Sequence, residues 1–504
     1  MFWLWVSLIV IVAVVVYDRG QRKHAILRNF PIIGHLRYML EAVGPELRQY
    51  IVTKNNEERP FSRDQRRWIY ASSKHDNNYF GFGSDNEMEL SPNYLVIKHQ
   101  VFPLNSPQPG EPDYDPSYVV PCPKVLGGSR DRKKAFRPTS IVNISGMSFG
   151  SLSAQAVQAL NKGAALARCL HNTGEGGVSV HHLCGGDLVW QIGTGYFGCR
   201  DESGRFSMAR LKDAVERYPS VRAIEIKLSQ GAKPGVGGFL PGRKVTPEIA
   251  AVRGIPLKQD CASPGAHREF HDADSLLDFA EAVAAETGLP VGIKSAVGEL
   301  TFWKDLARQM STGGRAVDFI AIDGGEGGTG AGPLVFTDHV ALPFKIAFSR
   351  VHRIFDAAGI SEKVVFVGSG KLGFSQDALL AFAMGCDMIN VAREAMIAIG
   401  CIQAQQCHTN RCPTGVATQN RWLAGGLDPN LKSVRVANYI VALRKDLLYL
   451  ARACGVPHPS QVRSDQLEFL DDRFGAKTIA EVFERRVTWP TSEHPSTPRR
   501  DQPT

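Results

Sequence analysis

The most constraining feature of this chain is an alternation of short apolar runs with longer amphipathic segments between residues 141 and 391. Segments such as 153–167, 275–287, 301–311 and 375–384 have the periodicity of helices that bury one face. Parallel strands need crossover helices of this kind. Eight runs over about 250 residues predict a (β/α)8 barrel, with a doubly wound open sheet as the alternative. The runs are Ile141–Ser145, Leu170–Asn172, Leu188–Ile192, Ala223–Lys227, Pro290–Lys294, Asp318–Ile322, Val364–Gly368 and Met388–Val391.

Glycine-rich loops follow most of these runs, at the end of the strands where a barrel keeps its active site. They are Gly146–Ser151, Asn172–Gly177, Gln230–Gly238, Asp323–Gly330 and Gly368–Lys371. Glycines let backbone N–H groups approach an anion closely. Gly368–Lys371 and the pair Ala392–Arg393 follow strands seven and eight, where barrels commonly bind phosphate, and Lys371 and Arg393 add positive charge there. The pattern predicts a phosphorylated cofactor.

Three of the charged residues at strand ends or in these loops are candidates for a functional site. Lys227 and Lys294 each end an apolar strand, and a buried lysine needs an anionic partner, ligand or substrate. Glu175 lies in a glycine loop, where it could bind a cation or transfer a proton. The structural alternatives are rim lysines that reach solvent and a solvated loop glutamate.

Three cysteines lie close together at Cys401, Cys407 and Cys412, with the spacing C-x5-C-x4-C and a following proline. The whole chain has ten cysteines in 504 residues, so three in this segment are a concentration. Thiolates are the ligands of iron–sulfur clusters, which favours a cluster over three packed thiols.

The first residues form a run without charge, from Phe2 to Tyr17, in which Ser7 is the one polar side chain. Sixteen residues in a helix span about 24 Å, slightly less than a bilayer core. Aromatic residues lie at both ends of the run, and Arg19, Arg22 and Lys23 follow it. This order predicts a single-pass anchor in the cytoplasmic membrane, with the rest of the chain in the cytoplasm. The alternatives are an interfacial helix and a signal-like segment.

The net charge of +8 is concentrated after this apolar run. Residues 18–75 contain 12 Lys and Arg against 6 Asp and Glu, a balance of +6. Basic residues directly after an apolar run are typical of a membrane-flanking segment and not of a nucleic-acid-binding face. We therefore expect no nucleic acid partner.

The expected organisation has four parts. An anchor at 2–17 is followed by a mixed lead-in over 24–123, whose end is rich in proline. The barrel region extends over 140–455 and includes the iron–sulfur segment 401–412. The tail 493–504 is predicted to be disordered.

Six stretches together resemble the FMN- and cluster-binding domain of glutamate synthase. They are GMSFGS, NTGEGG, QGAKPG, LPGRKV, GGEGGTGAGP and CHTNRCPTGVATQN, and they occur in the same order between about residues 140 and 420. The resemblance implies a (β/α)8 barrel, FMN, a [3Fe–4S] cluster on Cys401, Cys407 and Cys412, and reduction of 2-iminoglutarate to glutamate. Three cysteines agree with a three-iron cluster.

The resemblance also implies roles for individual residues. Glu175, Lys227, Lys233 and Lys294 would surround the flavin and the substrate. The lysines would bind the keto-acid carboxylates and the reduced flavin, and Glu175 would position ammonia or the imine. The cofactor-binding residues would be Met147, Ser148, Gln191, Lys294, Gly325, Gly328, Thr329, Gly368, Ser369, Gly370 and Arg393.

The chain departs from the family pattern in several places. Val236 replaces the usual Glu, Gly332 the usual Ser, and Arg393 a small residue. The first 120 residues do not resemble the glutaminase domain of the large enzymes, so we expect ammonia from solution or from a separate subunit. These differences bear on the substrate more than on the cofactors.

The sequence thus predicts a membrane-anchored oxidoreductase that passes electrons from an iron–sulfur cluster through FMN to an imino acid. The substrates would be 2-oxoglutarate and ammonia, or a precursor of an N-substituted glutamate. The expected partners are a ferredoxin or a reductase subunit as electron donor, and possible further copies of the chain in a homo-oligomer. The alternatives are a membrane-bound redox or electron-transfer subunit without glutamate synthesis, and an FMN-dependent isomerase, which would need no cluster.

Overall fold

The computed structural model describes residues 1–21, 25–48, 52, 57–84, 86–111, 113–312 and 314–483. The chain forms two compact units, one from Met1 to Trp68 and the other from Ile69 onward. The predicted tail 493–504 lies outside the described residues.

The first unit is helical. It contains α1 (Phe2–Gly20), α2 (Ala25–Asn29), α3 (Ile33–Leu47) and the start of α4 (Arg63–Lys74). Helix α1 is almost wholly exposed and is long and apolar enough to cross a membrane, although a signal sequence has the same properties. Asp18, near its end, is buried and accepts hydrogen bonds from the Ile32 N–H at 3.1 Å and from His35 Nε2 at 2.9 Å. These bonds connect the end of α1 to the start of α3.

The second unit is built on thirteen strands in the described residues, eight of which form a closed barrel. The strands are β1 (Tyr94–Ile97), β2 (Val142–Ile144), β3 (His171–Asn172), β4 (Leu188–Ile192), β5 (Val221–Lys227), β6 (Phe239–Leu240), β7 (Cys261–Ala262), β8 (Val291–Ser295), β9 (Phe319–Asp323), β10 (Val365–Ser369), β11 (Met388–Val391), β12 (Leu467–Leu470) and β13 (Ala476–Thr478). The helices are α5 (Ala154–Ala167), α6 (Met208–Arg217), α7 (Pro247–Arg253), α8 (Ala273–Thr287), α9 (Thr301–Thr312), α10 (Leu334–His339), α11 (Phe344–Ala357), α12 (Ser375–Ala383), α13 (Arg393–Ala398), α14 (Arg421–Gly425), α15 (Pro429–Ala453) and α16 (Ile479–Phe483).

The barrel order is β2-β3-β4-β5-β8-β9-β10-β11, and β11 pairs with β2 to close it. All neighbouring pairs are parallel, so the carboxyl ends of all eight strands lie at one end. Each of the eight predicted runs forms one of these strands, which confirms the (β/α)8 barrel. The open-sheet alternative was wrong, because Ile389 of the last strand pairs with Val142 of the first.

The barrel interior is apolar at its amino end and polar at its carboxyl end. Residues of a strand that are two apart point to the same face, so Phe319 and Ala321 share the inward face with Asp323. Likewise Ala223 shares it with Glu225 and Lys227. Cys122 and Leu126, from the segment before β2, pack against this core and close its amino end.

Two small antiparallel sheets were not predicted. Strand β6 pairs with β7, and β12 pairs with both β1 and β13. Each of these strands has two to four residues, which is too short for an alternation of apolar and polar residues to stand out.

Helices α5 and α15 pack closely where α5 carries Gly163. A Cβ atom at Gly163 would lie 2.1 Å from Val436 Cγ1 and 2.8 Å from the Ser433 carbonyl oxygen. Such distances are below van der Waals contact, so only glycine allows this approach.

We predict that Gly163→Ala lowers the free energy of unfolding by about 1–3 kcal/mol, since the added methyl group forces α5 and α15 apart. Urea unfolding followed by circular dichroism measures the change. Gly425→Ala in α14 is the matched control, because a Cβ there meets nothing within 4 Å. Adding Val436→Ala to the Gly163 variant should restore part of the loss. Equal stability of the two glycine variants would contradict the packing argument.

Candidate active site

A buried ion pair lies at the carboxyl ends of β8 and β9. Lys294 Nζ is 3.2 Å from Asp323 Oδ2, and both side chains are buried. The Gly231 N–H donates to the same carboxylate at 2.9 Å. Burial lowers the pKa of Lys294, but Asp323, together with Glu225 and Glu175, raises it above its usual value. Burial raises the pKa of Asp323, and the ammonium group outweighs that and lowers it. Both groups are therefore held charged, and the pair connects two strands to the loop after β5.

The other candidate catalytic residues form a second group beside this pair. Glu175 Oε2 lies 3.1 Å from Lys227 Nζ. Burial raises the pKa of Glu175, but Lys227 and Lys233 outweigh it and hold the pKa below its usual value. Burial lowers the pKa of Lys233, and Glu175 opposes this. Glu175 also contributes to the raised pKa of Lys294, so the four predicted residues share one electrostatic environment.

The loop after β5 is held over this group by Gln230. Its side-chain oxygen accepts a bond of 3.1 Å from Lys227 Nζ, and its amide nitrogen donates to the Gly328 carbonyl at 2.7 Å. Lys227 thus has one charged and one neutral partner. Gln230 thereby fixes the lysine head group and joins two glycine loops.

A buried carboxylate that the sequence reasoning missed lies under the site. Glu225 on β5 is buried and accepts hydrogen bonds from Asn172 Nδ2 at 2.8 Å and Gln191 Nε2 at 2.6 Å. It also contributes to the raised pKa of Lys294. The signal was available, because a glutamate two residues before Lys227 in an apolar strand must share its inward face.

The loops after β2 and β3 contact each other so closely that only glycine fits. A Cβ at Gly146 would lie 2.7 Å from Asn172 Oδ1, and one at Gly174 would lie 2.5 Å from the Ser148 nitrogen. The result is a backbone surface next to the Gln191 amide, which is itself joined to Glu225. This cradle and its donors fit a planar, hydrogen-bonding ring such as that of FMN. Met147 and Ser148, both predicted to bind the cofactor, belong to the same surface.

The predicted phosphate-binding residues lie at the ends of β9, β10 and β11. Gly370 has a φ of +127° and its Cβ would lie 3.1 Å from the Gly324 nitrogen, so glycine is required there. Arg393 donates to the Glu326 carbonyl, and a Cβ at Gly328 would lie 2.6 Å from Arg393 Cδ. A guanidinium group at this end of the barrel fits a phosphate chemically.

Not every glycine in this group has a free donor. The Gly325 N–H donates to the Leu342 carbonyl at 2.9 Å, so loop structure already uses it. A Cβ at Gly368 would lie 2.9 Å from Phe344 Cζ, which gives that glycine a packing role. Thr329 Oγ1 donates to the Ala331 carbonyl within its own turn. Ser369 follows Gly368 at the end of β10 and is buried.

The cysteine segment, residues 401–412, lies directly after α13. Cys412 is buried, and Cys401 and Cys407 are half-buried. Burial raises the pKa of Cys407, and the neighbouring Cys412 thiol raises it further. The Gln403 N–H lies 3.4 Å from Cys401 Sγ, and Tyr70 Oη donates to the Cys401 carbonyl at 2.9 Å.

Within the described part of the chain, no three His, Cys, Asp or Glu side chains converge as the ligands of a single metal ion do. A three-iron cluster distributes its thiolates over separate irons and does not need that convergence. The donor chemistry of three cysteines on one segment fits such a cluster. The cluster stays a prediction.

The cysteine segment and the residues after it are connected to the loop after β2 by several hydrogen bonds. Lys244 Nζ donates to the Ser151 carbonyl at 3.0 Å and to the Cys407 carbonyl at 3.1 Å. Gln419 Nε2 donates to the carbonyls of Gly150 and Leu152 at 3.1 and 2.7 Å. The predicted cluster site therefore borders the surface that fits the flavin ring.

A half-buried histidine that the sequence reasoning also missed supports Lys227. Tyr196 Oη accepts from the N–H groups of Arg268 and Glu269, so its own proton goes to His267 Nδ1 at 3.1 Å. His267 Nε2 then donates to the Lys227 carbonyl at 2.9 Å. Burial lowers the pKa of His267 to about 4, which keeps the ring neutral. Nothing in the sequence around His267 distinguishes it from a surface loop residue.

Two of the three residues that depart from the family pattern, Val236 and Gly332, lie next to Lys233. Val236 is 37 % exposed, and its N–H bonds to the Lys233 carbonyl at 3.4 Å. A Cβ at Gly332 would be 3.7 Å from Lys233 Cβ and 3.2 Å from Thr329 Cγ2. Val236 thus borders the Lys233 backbone, and Gly332 borders the Lys233 side chain.

The family model and the relatives that match this chain all bear the name glutamate synthase. Residues 125–457 match the family model described as a conserved region in glutamate synthase. The chain is 38 % identical over 471 residues to the glutamate synthase large subunit-like protein YerD of Bacillus subtilis (strain 168), covering 88 % of this chain and 89 % of that protein.

Two further relatives are matched over smaller parts of their length. The archaeal glutamate synthase [NADPH] of Methanocaldococcus jannaschii is 34 % identical over 64 % of this chain and 61 % of that protein. The ferredoxin-dependent glutamate synthase of Cyanidium caldarium is 32 % identical over 72 % of this chain but only 23 % of that protein. The match thus covers about three-fifths and a quarter of these enzymes.

The His267 interaction predicts a pH dependence of stability. The native pKa of about 4 lies below the ordinary 6.5, so the unfolded chain binds a proton that the native state excludes. This contribution is complete above about pH 6.5 and is lost as the pH falls toward about 4. His267→Gln retains a donor and an acceptor but cannot protonate. Between about pH 7 and pH 4.5, the unfolding free energy of the wild type should therefore fall by about 2 kcal/mol more than that of this variant.

Urea unfolding at the two pH values measures this difference. His271→Gln is the matched control, because the His271 side chain is 85 % exposed. It should retain the wild-type pH dependence. A His267 variant with the same pH dependence as the wild type would contradict the assignment.

Proposed function

Because the chain belongs to the glutamate synthase family, we propose that it reduces an imino acid with electrons passed from an iron–sulfur cluster through FMN. The family consists of oxidoreductases that act on CH–NH2 groups, and membership supports FMN as the cofactor. The proposed reaction forms glutamate from 2-oxoglutarate and ammonia, or an N-substituted glutamate from the corresponding imine.

One observation carries the proposal. The Lys244 ammonium bridges the loop after β2, which fits a flavin ring, and the Cys407 carbonyl, which belongs to the predicted cluster site. Two redox groups bound there would be neighbours. When bound, FMN supplies hydride transfer and an iron–sulfur cluster supplies single electrons. An isomerase needs no second redox group and would not account for this arrangement.

The charges at the site suit a substrate carboxylate. Lys227 and Lys233 carry two positive charges against the single carboxylate of Glu175, so one positive charge is left for a substrate carboxylate. Ammonium-to-carboxylate hydrogen bonds are strong when both groups are partly buried. Lys227 and Lys233 would hold the substrate, and Val236 and Gly332 would border its side chain.

Glu175 would act on the nitrogen. Its pKa is held below its usual value, so the carboxylate is ionised and accepts hydrogen bonds from ammonia or an iminium N–H. Reduction of 2-iminoglutarate adds a hydride to the carbon and a proton to the nitrogen. Glu175 would orient that nitrogen. The Lys227 ammonium group, which lies 3.1 Å from the Glu175 carboxylate, would supply the proton.

The sources of ammonia and electrons are part of the proposal. The chain matches 61 % of the length of the NADPH-named archaeal relative and 23 % of the ferredoxin-dependent one. We infer that ammonia comes from solution or a separate subunit, and that a ferredoxin or a reductase subunit delivers electrons.

We propose further that α1 anchors the protein in the cytoplasmic membrane with the barrel in the cytoplasm. The helix has 19 residues, and the following segment to residue 75 carries the excess of positive charge. This location agrees with ten free cysteines in the described part of the chain, which a reducing compartment preserves.

Glu175→Gln should slow the oxidation of reduced flavin by 2-oxoglutarate with ammonium about 100-fold or more, because the nitrogen loses its charged acceptor. Stopped-flow absorbance after anaerobic purification and reduction measures the rate, and chromatography measures the glutamate formed. Glu362→Gln, whose side chain is 88 % exposed, is the control and should react at the wild-type rate.

The behaviour of the wild-type protein distinguishes glutamate synthesis from the electron-transfer alternative. If its flavin stays reduced with every imino acid but is oxidised by a one-electron acceptor, glutamate synthesis is wrong and the electron-transfer alternative is favoured. If the anaerobic protein lacks iron, the cluster is wrong.

The anchor has its own test. Ile11→Lys combined with Val12→Lys places two charges at the centre of α1, at a cost of about 2.5–3.5 kcal/mol each in a membrane. The protein should move from the alkali-resistant membrane fraction to the soluble fraction. Val10→Leu should stay in the membrane. A wild type that is soluble, or cleaved after this segment, would contradict the anchor.

A further inference from the structure

Lys244 is a buried cation whose partners are unusual. Its side chain lies in a short turn after β6 and is 3 % exposed. Nζ donates to two neutral carbonyls, those of Ser151 and Cys407. No carboxylate lies within 4.0 Å of it among the residues that the structure describes. Transfer of an ammonium group from water into such a site is costly unless an anion compensates the charge.

Another buried cation of the site, Lys294, shows which kind of partner Lys244 lacks. Lys294 is buried to a similar degree and has Asp323 at 3.2 Å. The Lys244 ammonium instead contacts the cysteine segment itself, through the Cys407 carbonyl at 3.1 Å. Deprotonated cysteines of that segment would supply the anion that this site lacks.

We propose that Lys244 is a positioning residue that compensates the negative charge of the cysteine-bound cluster and raises its reduction potential. This inference rests on the proposed function, since it requires a cluster on Cys401, Cys407 and Cys412. Reduction adds one negative charge to the cluster. A buried ammonium group bonded to the backbone of the ligand residue Cys407 would stabilise the reduced cluster more than the oxidised one.

The Lys244 side chain also holds the cysteine segment in place. The effect of its positive charge must therefore be separated from the effect of its hydrogen bonds. Gln419 provides the comparison, because its amide connects the residues after the segment to the same loop through Gly150 and Leu152 without a charge. Loss of either side chain removes two hydrogen bonds. Only loss of Lys244 removes a positive charge.

The experiment uses the full chain, purified anaerobically, in four forms: wild type, Lys244→Met, Lys244→Arg and Gln419→Met. Iron and sulfide are assayed, and a redox titration followed by electron paramagnetic resonance gives the midpoint potential of the cluster. We expect a more negative potential in Lys244→Met and potentials near the wild-type value in Lys244→Arg and Gln419→Met.

The other possible results either support or overturn the role of Lys244. An unchanged potential in Lys244→Met, or an equal shift in Gln419→Met, would overturn the charge-compensating role. If Lys244→Met loses its iron, retention of iron in Lys244→Arg supports the role and loss in both variants overturns it. A wild type without iron refutes the proposed cluster instead, and so identifies failure of the proposed function separately.

Discussion

The site depends on the buried ion pair of Lys294 and Asp323. It joins the ends of β8 and β9, and the same carboxylate binds the Gly231 N–H. Loss of one partner would leave the other charge buried and unpaired, which costs about 3–5 kcal/mol. Because this bond fixes Gly231, it also fixes the positions of its chain neighbours Gln230 and Lys233. Gln230 in turn binds Lys227. One electrostatic contact therefore positions the group that surrounds Glu175.

Strand register explains why this polar group lies over an apolar core. Side chains two residues apart share a face, so each inward row changes from apolar to polar along its strand, as from Phe319 and Ala321 to Asp323. Parallel closure then brings the polar ends of different strands to one opening. A shift of one residue would exchange the inward and outward faces and place Lys294 outside the barrel. The barrel and its chemistry are thus specified together.

Much of this arrangement was predictable, for identifiable reasons. The eight strands carry a strong local signal, and lysines at the ends of apolar strands indicated the site. Glu225 was missed although its spacing from Lys227 places both on one face. His267 could not be found from sequence, because its role depends on Tyr196, 71 residues away. Lys244 was equally hidden, since its partners come from segments 93 and 163 residues distant. Contacts of this kind depend on tertiary packing and not on local pattern.

The loop after β2 links the two halves of the proposed electron path. Its glycine at 146 forms the surface that fits a flavin, and its carbonyl at 151 accepts from Lys244, which also binds the cysteine segment. Gln419 makes a second, neutral connection to the same loop. A movement of this loop would therefore change the flavin surface and the cysteine segment together. Short, doubly connected elements of this kind favour a fixed distance between two redox groups, whereas Val236 and Gly332, which would border the proposed substrate, lie on other loops. Electron delivery and substrate choice can then vary independently within the same barrel.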